Sequence, residues 1–79
     1  MTDKEKQSIR KTIADSLGID TYRIKDDSRL SYDLGADSLD IVELTMGLEE
    51  NHDFILKDED FDSINTVGDL IKYIEESRK

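Results

Sequence analysis

Residues 33–50 read DLGADSLDIVELTMGLEE, and this stretch determines the architecture of the chain. Asp37 and Ser38 both favour the start of a helix, and the apolar residues after them recur at helical spacing. The stretch therefore predicts a helix that starts at Asp37 or Ser38 and runs to about Glu50. Gly35 allows the backbone to turn sharply into this helix, because glycine adopts conformations that other residues avoid.

The predicted helix has more apolar surface than packing requires. With residues placed about 100° apart, it carries one stripe of Ile41, Leu44 and Leu48 and a nearly opposite stripe of Leu39, Val42 and Met46. A surface helix needs only one stripe to pack against a core. The second stripe is flanked by acids, at Asp40, Glu43, Glu49 and Glu50. We therefore predict a docking strip, Leu39–Val42–Met46 with an acidic rim. A central helix in contact with two neighbours is the alternative.

The segment before this helix predicts another helix and a long loop. Residues 3–17 carry apolar residues at four-residue steps, at Ile9, Ile13 and Leu17. Gly18 stands where helices commonly end in a left-handed residue. Residues 19–36 then form a polar connection that is long for a compact domain. Its apolar residues are expected to hold it across the bundle: Ile19, Ile24, Leu30 and Leu34.

The segment after the central helix predicts a short helix and a last main helix. A turn of helix is predicted at 58–63, with Asp58 as its cap. The last helix begins near Thr66, where Thr66 and Asp69 have the spacing of a capping box. Its apolar face follows at helical spacing: Val67, Leu70, Ile71 and Ile74. The expected fold is all-α, a small four-helix bundle with three main helices, one short helix and a long first loop.

Length and composition limit the class of protein. A chain of 79 residues is expected to form one small domain, residues 1–79, with a thin core. Cysteine is absent, which excludes a disulfide framework and a thiolate metal site. No apolar run is long enough to span a membrane or to resemble a signal peptide, so we expect a cytoplasmic protein.

Charge indicates the kind of partner. The net charge is −9, and nucleic acids or anionic membranes would be repelled by it. No Lys or Arg occurs between residues 30 and 56, whereas seven acids do. Partners with basic patches are therefore expected, although an acidic surface that only maintains solubility is the alternative.

The run DLGADSLDIVE at residues 33–43 resembles the signature of the acyl carrier protein family. The similarity has no gaps over residues 33–50 and extends more weakly over nearly the whole chain. In that family the serine of D-S-L carries 4′-phosphopantetheine, taken from coenzyme A. The resemblance implies that Ser38, with Asp37 beside it, carries the arm, and that the chain holds acyl groups as thioesters without being an enzyme. A helix start also favours the charge of a phosphodiester.

The resemblance also implies partners and a pocket. The partners are a phosphopantetheinyl transferase and acyl-processing enzymes of fatty-acid or related synthesis, such as synthases, reductases and acyltransferases with basic patches. They would contact a monomer through Asp37, Leu39, Asp40, Val42, Glu43, Met46, Glu49 and Glu50. The acyl chain would lie between the central helix and the short one, and the candidate lining is Leu44, Leu48 and Ile64. Each of these three is equally well explained as ordinary core.

The sequence departs from the family pattern around this expected pocket. His52 replaces a usual aromatic residue and Lys57 a usual proline. Tyr32 replaces a common acid, and Phe54 and Ile55 stand where polar residues are frequent. Phe54 is expected to supply the aromatic packing that His52 does not. As a hypothesis, this is a specialised carrier outside housekeeping fatty-acid synthesis.

Other functions compete with this interpretation. Carriers of aminoacyl, peptidyl or polyketide groups share the fold, and a carrier-like interaction module without an arm is another alternative. A calcium-binding loop is a further one, because Asp58, Asp60, Asp62 and Asp69 echo the EF-hand spacing. Ser63 stands in the place of the required glycine, which argues against that loop. No metal site is expected.

Overall fold

A computed structural model describes residues 2–77, apart from the side chain of Asp58. The main helices are α1 (Asp3–Leu17), α2 (Ser38–His52) and α3 (Val67–Ser77). Two 3-10 helices lie between them, the first at Thr21–Arg23 and the second at Asp58–Ser63. The described residues form no strand beyond one isolated bridge between Arg29 and Thr66. The expected all-α fold is confirmed, with the short helix in 3-10 form.

Helix α1 has the predicted bounds. The Thr2 hydroxyl oxygen accepts a hydrogen bond from the Glu5 N–H at 3.2 Å and caps its start. Gly18 ends the helix in the left-handed conformation, with φ 69°, and its N–H donates to the Ala14 carbonyl. The apolar stripe of α1 faces inward, because Ile9 and Ile13 are fully buried.

The hydrophobic core lies where the three main helices meet. Its largest fully buried side chains are Ile9, Ile13, Leu30, Leu44, Leu48, Val67, Leu70 and Ile74. Each such side chain contributes about 1.5–3 kcal/mol relative to an exposed position. The Leu44–Leu48 side of α2 is therefore the packed side, and the opposite stripe is left outside the core.

The long loop between α1 and α2 is attached to the beginning of α3. Ile24 and Leu30 are buried, and Ile19 and Leu34 pack against the core, as predicted. Three backbone hydrogen bonds then join the loop to residues 65–68. The donors are the N–H groups of Leu30, Val67 and Gly68, bonded at 2.9, 2.9 and 2.7 Å to the carbonyls of Asn65, Ser28 and Asp26.

Side-chain hydrogen bonds hold the segment between α2 and α3. Helix α2 runs to His52, where Asp53 adopts the left-handed conformation with φ 54°. The Glu49 carboxylate accepts from the Leu56 N–H at 2.9 Å. The Tyr73 hydroxyl donates to the Asp60 carboxylate at 3.0 Å. The first bond joins the segment before the second 3-10 helix to α2, and the second bond joins that helix to α3.

Two expectations about this segment have different outcomes. The predicted cap at Asp58 is wrong, because Asp58 is the first residue of the 3-10 helix; Lys57 precedes it without a side-chain capping bond. Phe54 does supply aromatic packing: its buried ring meets that of Tyr73 edge to face, with centroids 6.4 Å apart. His52 is also buried.

Candidate attachment site and docking strip

Ser38 is the first residue of α2, and its neighbours perform the capping. The Asp37 carboxylate accepts from the Asp40 N–H at 2.9 Å, and the Asp40 carboxylate accepts from the Asp37 N–H at 3.1 Å. This reciprocal pair is a capping box. Ser38 is exposed, and within residues 2–77 its hydroxyl makes no hydrogen bond. The hydroxyl is therefore accessible at the end of a rigid helix.

The turn that leads to Ser38 is built on Gly35 and Ala36. Gly35 has φ 73°, a left-handed conformation in which a side chain would be strained. Ala36 is buried, and its N–H donates to the Leu30 carbonyl at 2.9 Å. The backbone before Ser38 is thus held to the long loop, which fixes where the helix starts.

A groove with a volume of about 240 Å³ opens beside Ser38. Its apolar lining is Leu30, Ile41, Phe61 and Ile64, and its polar lining is Ser31, Ser38, Asp62 and Asn65. Of the residues proposed for an acyl pocket, Ile64 lines this groove. Leu44 and Leu48 are not among its lining residues, because both are fully buried in the core below it.

The groove includes residues that the sequence did not assign to it. Ile41 lies one helical turn after Ser38, so the spacing along α2 was a usable signal. Leu30 and Phe61 reach the groove from the long loop and the second 3-10 helix. Their approach to Ser38 depends on how these segments fold back, which no local pattern indicates.

The predicted outward stripe of α2 is exposed. Leu39, Val42 and Met46 are 65%, 40% and 57% exposed, whereas Leu44 and Leu48 are fully buried. This excludes a central helix that is packed on both sides. Arg10–Asp26, Lys11–Asp15 and Arg29–Asp33 form ion pairs, and none of these three pairs involves the stripe or its acidic rim. The docking strip is therefore an apolar surface with an acidic rim.

The rim acids are not equivalent. Glu43 and Glu50 are exposed, and neither takes part in those ion pairs. Asp37 and Asp40 are engaged in the capping box. Glu49 is half-buried and accepts from the Leu56 N–H, so it also has a structural role. Glu43 and Glu50 are thus the rim acids for which the fold of the described residues shows no structural use.

Two of the acids in the calcium alternative are used by the fold. The Asp69 carboxylate accepts from the N–H groups of Asn65 and Thr66, both at 3.1 Å. Both bonds lower the pKa of the Asp69 carboxyl below its ordinary value, and the bond from Asn65 has the larger effect. The Asp60 carboxylate accepts from Tyr73. Among the described side chains no group of three or more His, Cys, Asp or Glu is arranged to hold a metal ion.

Comparison with known proteins identifies the family. A family model described as "Phosphopantetheine attachment site" matches residues 7–74. The acyl carrier protein of Clostridium acetobutylicum is 50% identical over 68 residues, which cover 86% of this chain and 88% of that protein. The chain belongs to the acyl carrier protein family. A solved structure of the acyl carrier protein from Enterococcus faecalis has a TM-score of 0.79 at 32% identity and covers 98% of this chain and 99% of that one.

Family membership gives the general function. An acyl carrier protein carries acyl groups on phosphopantetheine and is a carrier, not an enzyme. An exposed hydroxyl at a helix start, beside a partly apolar groove, fits such an arm. In the part of the chain that the structure describes, no helix has the length and apolar character to cross a membrane.

Proposed function

We propose that Ser38 carries the phosphopantetheine arm of this acyl carrier protein, in a monomeric domain that spans residues 1–79. The observation that carries the proposal is that Asp37 and Asp40, and not Ser38, cap the start of α2. Asp37 and Asp40 satisfy each other's backbone N–H groups. The Ser38 hydroxyl is therefore not needed for capping and is exposed to a modifying enzyme.

The start of α2 also suits the bond that the serine would form. The Ser38 oxygen bonds to a phosphorus of coenzyme A, the phosphoanhydride bond breaks, and the nucleotide half leaves. The hydroxyl proton passes to a base of the transferase. Unpaired N–H groups in the first turn and the positive end of the helix dipole then favour the phosphodiester charge. The arm supplies a terminal thiol, which holds acyl groups as thioesters.

The groove beside Ser38 is proposed to hold the acyl chain. Leu30, Ile41, Phe61 and Ile64 supply its apolar lining. Burial of each methylene contributes about 0.8 kcal/mol, which favours a chain inside the groove over a chain in water. Leu44 and Leu48 would contact the chain only where the groove deepens toward the core.

The docking strip is proposed to receive the enzymes that load and process the arm. Leu39, Val42 and Met46 offer an exposed apolar centre next to Ser38. The acids around it, Glu43 and Glu50 above all, would meet basic patches on the transferase and on synthases, reductases and acyltransferases of the cytoplasm. Complementary charge accelerates association and fixes orientation, and its effect weakens as salt rises.

The attachment proposal is tested by co-expression with a phosphopantetheinyl transferase and intact-mass spectrometry. We expect one added phosphopantetheine on the wild type and none on Ser38→Ala. Ser31→Ala is the matched control, because Ser31 is an exposed serine that lines the same groove. It should be modified like the wild type. An unmodified wild type, or a modified Ser38→Ala, contradicts the proposal. Acyl groups captured from the host would indicate the pathway.

The docking proposal is tested by the rate of modification of charge-reversal variants. Glu43→Lys should slow modification by the transferase about tenfold at low salt, equivalent to about 1.4 kcal/mol. The difference from the wild type should shrink as salt is added. Glu76→Lys is the control, since it makes the same change of charge at an exposed position of α3. Equal slowing by both variants would mean that net charge, and not the docking strip, controls the rate.

A further inference from the structure

The apolar residues that line the groove differ in how they are held. Leu30 and Ile64 belong to the buried core, and Ile41 packs against it. Phe61 is half-buried and belongs neither to the core cluster nor to the described residues packed on it. Truncation of a ring outside the core cluster costs less stability than truncation of a core residue, because it leaves no buried cavity. Phe61 is thus the apolar lining residue whose size can be changed without disrupting the core.

The backbone that carries Phe61 is held by hydrogen bonds on both sides of the residue. The preceding residue, Asp60, accepts a hydrogen bond from Tyr73 of α3 at 3.0 Å. The Asp60 carbonyl accepts from the Ser63 hydroxyl at 2.7 Å, and the Phe61 carbonyl accepts from the Ile64 N–H at 3.3 Å. The second 3-10 helix therefore holds the Phe61 backbone in place at the groove that Ser38 also lines.

The size of the groove gives a scale for what it can hold. An apolar cavity of about 150 Å³ accommodates benzene, so the observed volume corresponds to roughly ten carbon atoms. The polar lining residues Ser31, Asp62 and Asn65 oppose extension of an apolar chain past them. Truncation of Phe61 to Ala removes a ring of the size of benzene, which makes room for roughly six more carbon atoms.

We propose that Phe61 determines the length of acyl chain that this carrier shields. With the ring in place, the groove takes short and medium-length saturated acyl groups, up to roughly ten carbon atoms, and longer chains extend into water. The inference rests on Ser38 as the attachment residue, because the groove is defined by its position beside that hydroxyl.

The test compares wild type and Phe61→Ala, each loaded by a transferase from acyl-coenzyme A donors that range from butyryl to palmitoyl. The measurements are the rise in thermal midpoint on acylation and the rate of thioester cleavage by hydroxylamine. In the wild type the rise in thermal midpoint should increase with chain length and the cleavage rate should fall, and both trends should level off near roughly ten carbons. In Phe61→Ala both trends should continue for roughly four to six carbons more.

Control variants separate this role from a general loss of apolar surface. Ile55→Ala removes a side chain that is 75% exposed and outside the groove, so it should keep the wild-type profile. Phe61→Leu should lie between the wild type and Phe61→Ala. The unacylated Phe61 variants should unfold close to the wild-type midpoint, since Phe61 is outside the core cluster.

The possible failures can be told apart. An unchanged chain-length profile in Phe61→Ala overturns this inference and leaves the attachment proposal intact. A wild type that is not modified at Ser38 overturns the attachment proposal instead. If neither Phe61 variant folds, Phe61 is a core residue and the inference is also wrong.

Discussion

The starts of α2 and α3 use the same capping geometry in different surroundings. At α2, Asp37 and Asp40 exchange hydrogen bonds between carboxylate and backbone N–H at 2.9 and 3.1 Å. At α3, the Thr66 hydroxyl accepts from the Asp69 N–H at 3.0 Å, and the Asp69 carboxylate accepts from the Thr66 N–H at 3.1 Å. In both helices the exchange joins the residue before the helix to its third residue.

The two helix starts differ in the hydrogen bonds of their first two residues. In α3 the first two N–H groups, those of Val67 and Gly68, donate to carbonyls of the long loop. The equivalent residues of α2 are Ser38 and Leu39, both exposed, and no backbone bond from the described loop reaches their N–H groups. The start of α3 is closed by the chain itself, whereas the start of α2 is open.

This contrast shows what a capping box specifies and what it leaves undetermined. The box satisfies two backbone donors and defines where a helix begins. The use of the other donors depends on the rest of the fold. In α3 the long loop occupies them, and the helix start becomes part of the structural framework. In α2 they stay accessible, next to a hydroxyl that takes no part in capping, and that arrangement suits the anionic group proposed for Ser38.

The largest loss of stability is expected from a substitution that pushes the long loop away from the start of α3. A Cβ atom on Gly68 would lie 2.9 Å from the Asp26 carbonyl oxygen, which accepts the hydrogen bond from the Gly68 N–H. Because that oxygen belongs to the backbone, the loop must shift. We expect Gly68→Ala to lower the free energy of unfolding by about 1–3 kcal/mol in urea denaturation.

Gly47 in the middle of α2 provides the matched control. A Cβ there would meet only the Thr12 methyl group, at the ordinary contact distance of 3.7 Å. Alanine favours a helix over glycine by about 0.8–1 kcal/mol, so Gly47→Ala should be neutral or stabilising. If Gly68→Ala matched Gly47→Ala, the close approach of loop and helix would not limit stability.

Local patterns were sufficient for most of the helical framework. Helix α1 follows from apolar spacing and from Gly18, and both capping boxes follow from residues three positions apart. The end of α2 was placed two residues early, because Asp53 adopts a left-handed conformation that favours glycine and so gave no stop signal. The first 3-10 helix, Thr21–Arg23, is too short to show a period.

Contacts between distant segments could not be derived in the same way. In the sequence Gly68 is an ordinary glycine within a helix, and only the structure shows that the Asp26 carbonyl lies against it. Glu49 was predicted only as a rim acid, yet its carboxylate binds the Leu56 N–H. Phe61 was not assigned to the groove at all, since its approach to Ser38 depends on the path of the second 3-10 helix. In each case the partner lies outside the segment whose pattern was used.

A smaller effect is expected from removal of the carboxylate partner in each capping box. Asp69 accepts from two backbone N–H groups and Asp40 from one. Asp69→Ala should therefore lower the free energy of unfolding by about 1 kcal/mol at pH 7 and Asp40→Ala by about half as much, as measured in urea. Equal losses would show that the extra bond at the closed start adds nothing.

The response to acid adds a second test of Asp69. Its pKa is lowered in the folded protein, so the ionised carboxylate stabilises the fold above the ordinary value of 3.8. This contribution is lost as the pH falls through the lowered folded pKa. Urea midpoints measured from neutral pH downward should therefore fall less steeply below about pH 4 in Asp69→Ala than in the wild type. Parallel acid profiles would mean that Asp69 has the same pKa in the folded and unfolded chains. In that case the hydrogen bonds from Asn65 and Thr66 would not distinguish the closed helix start from the open one.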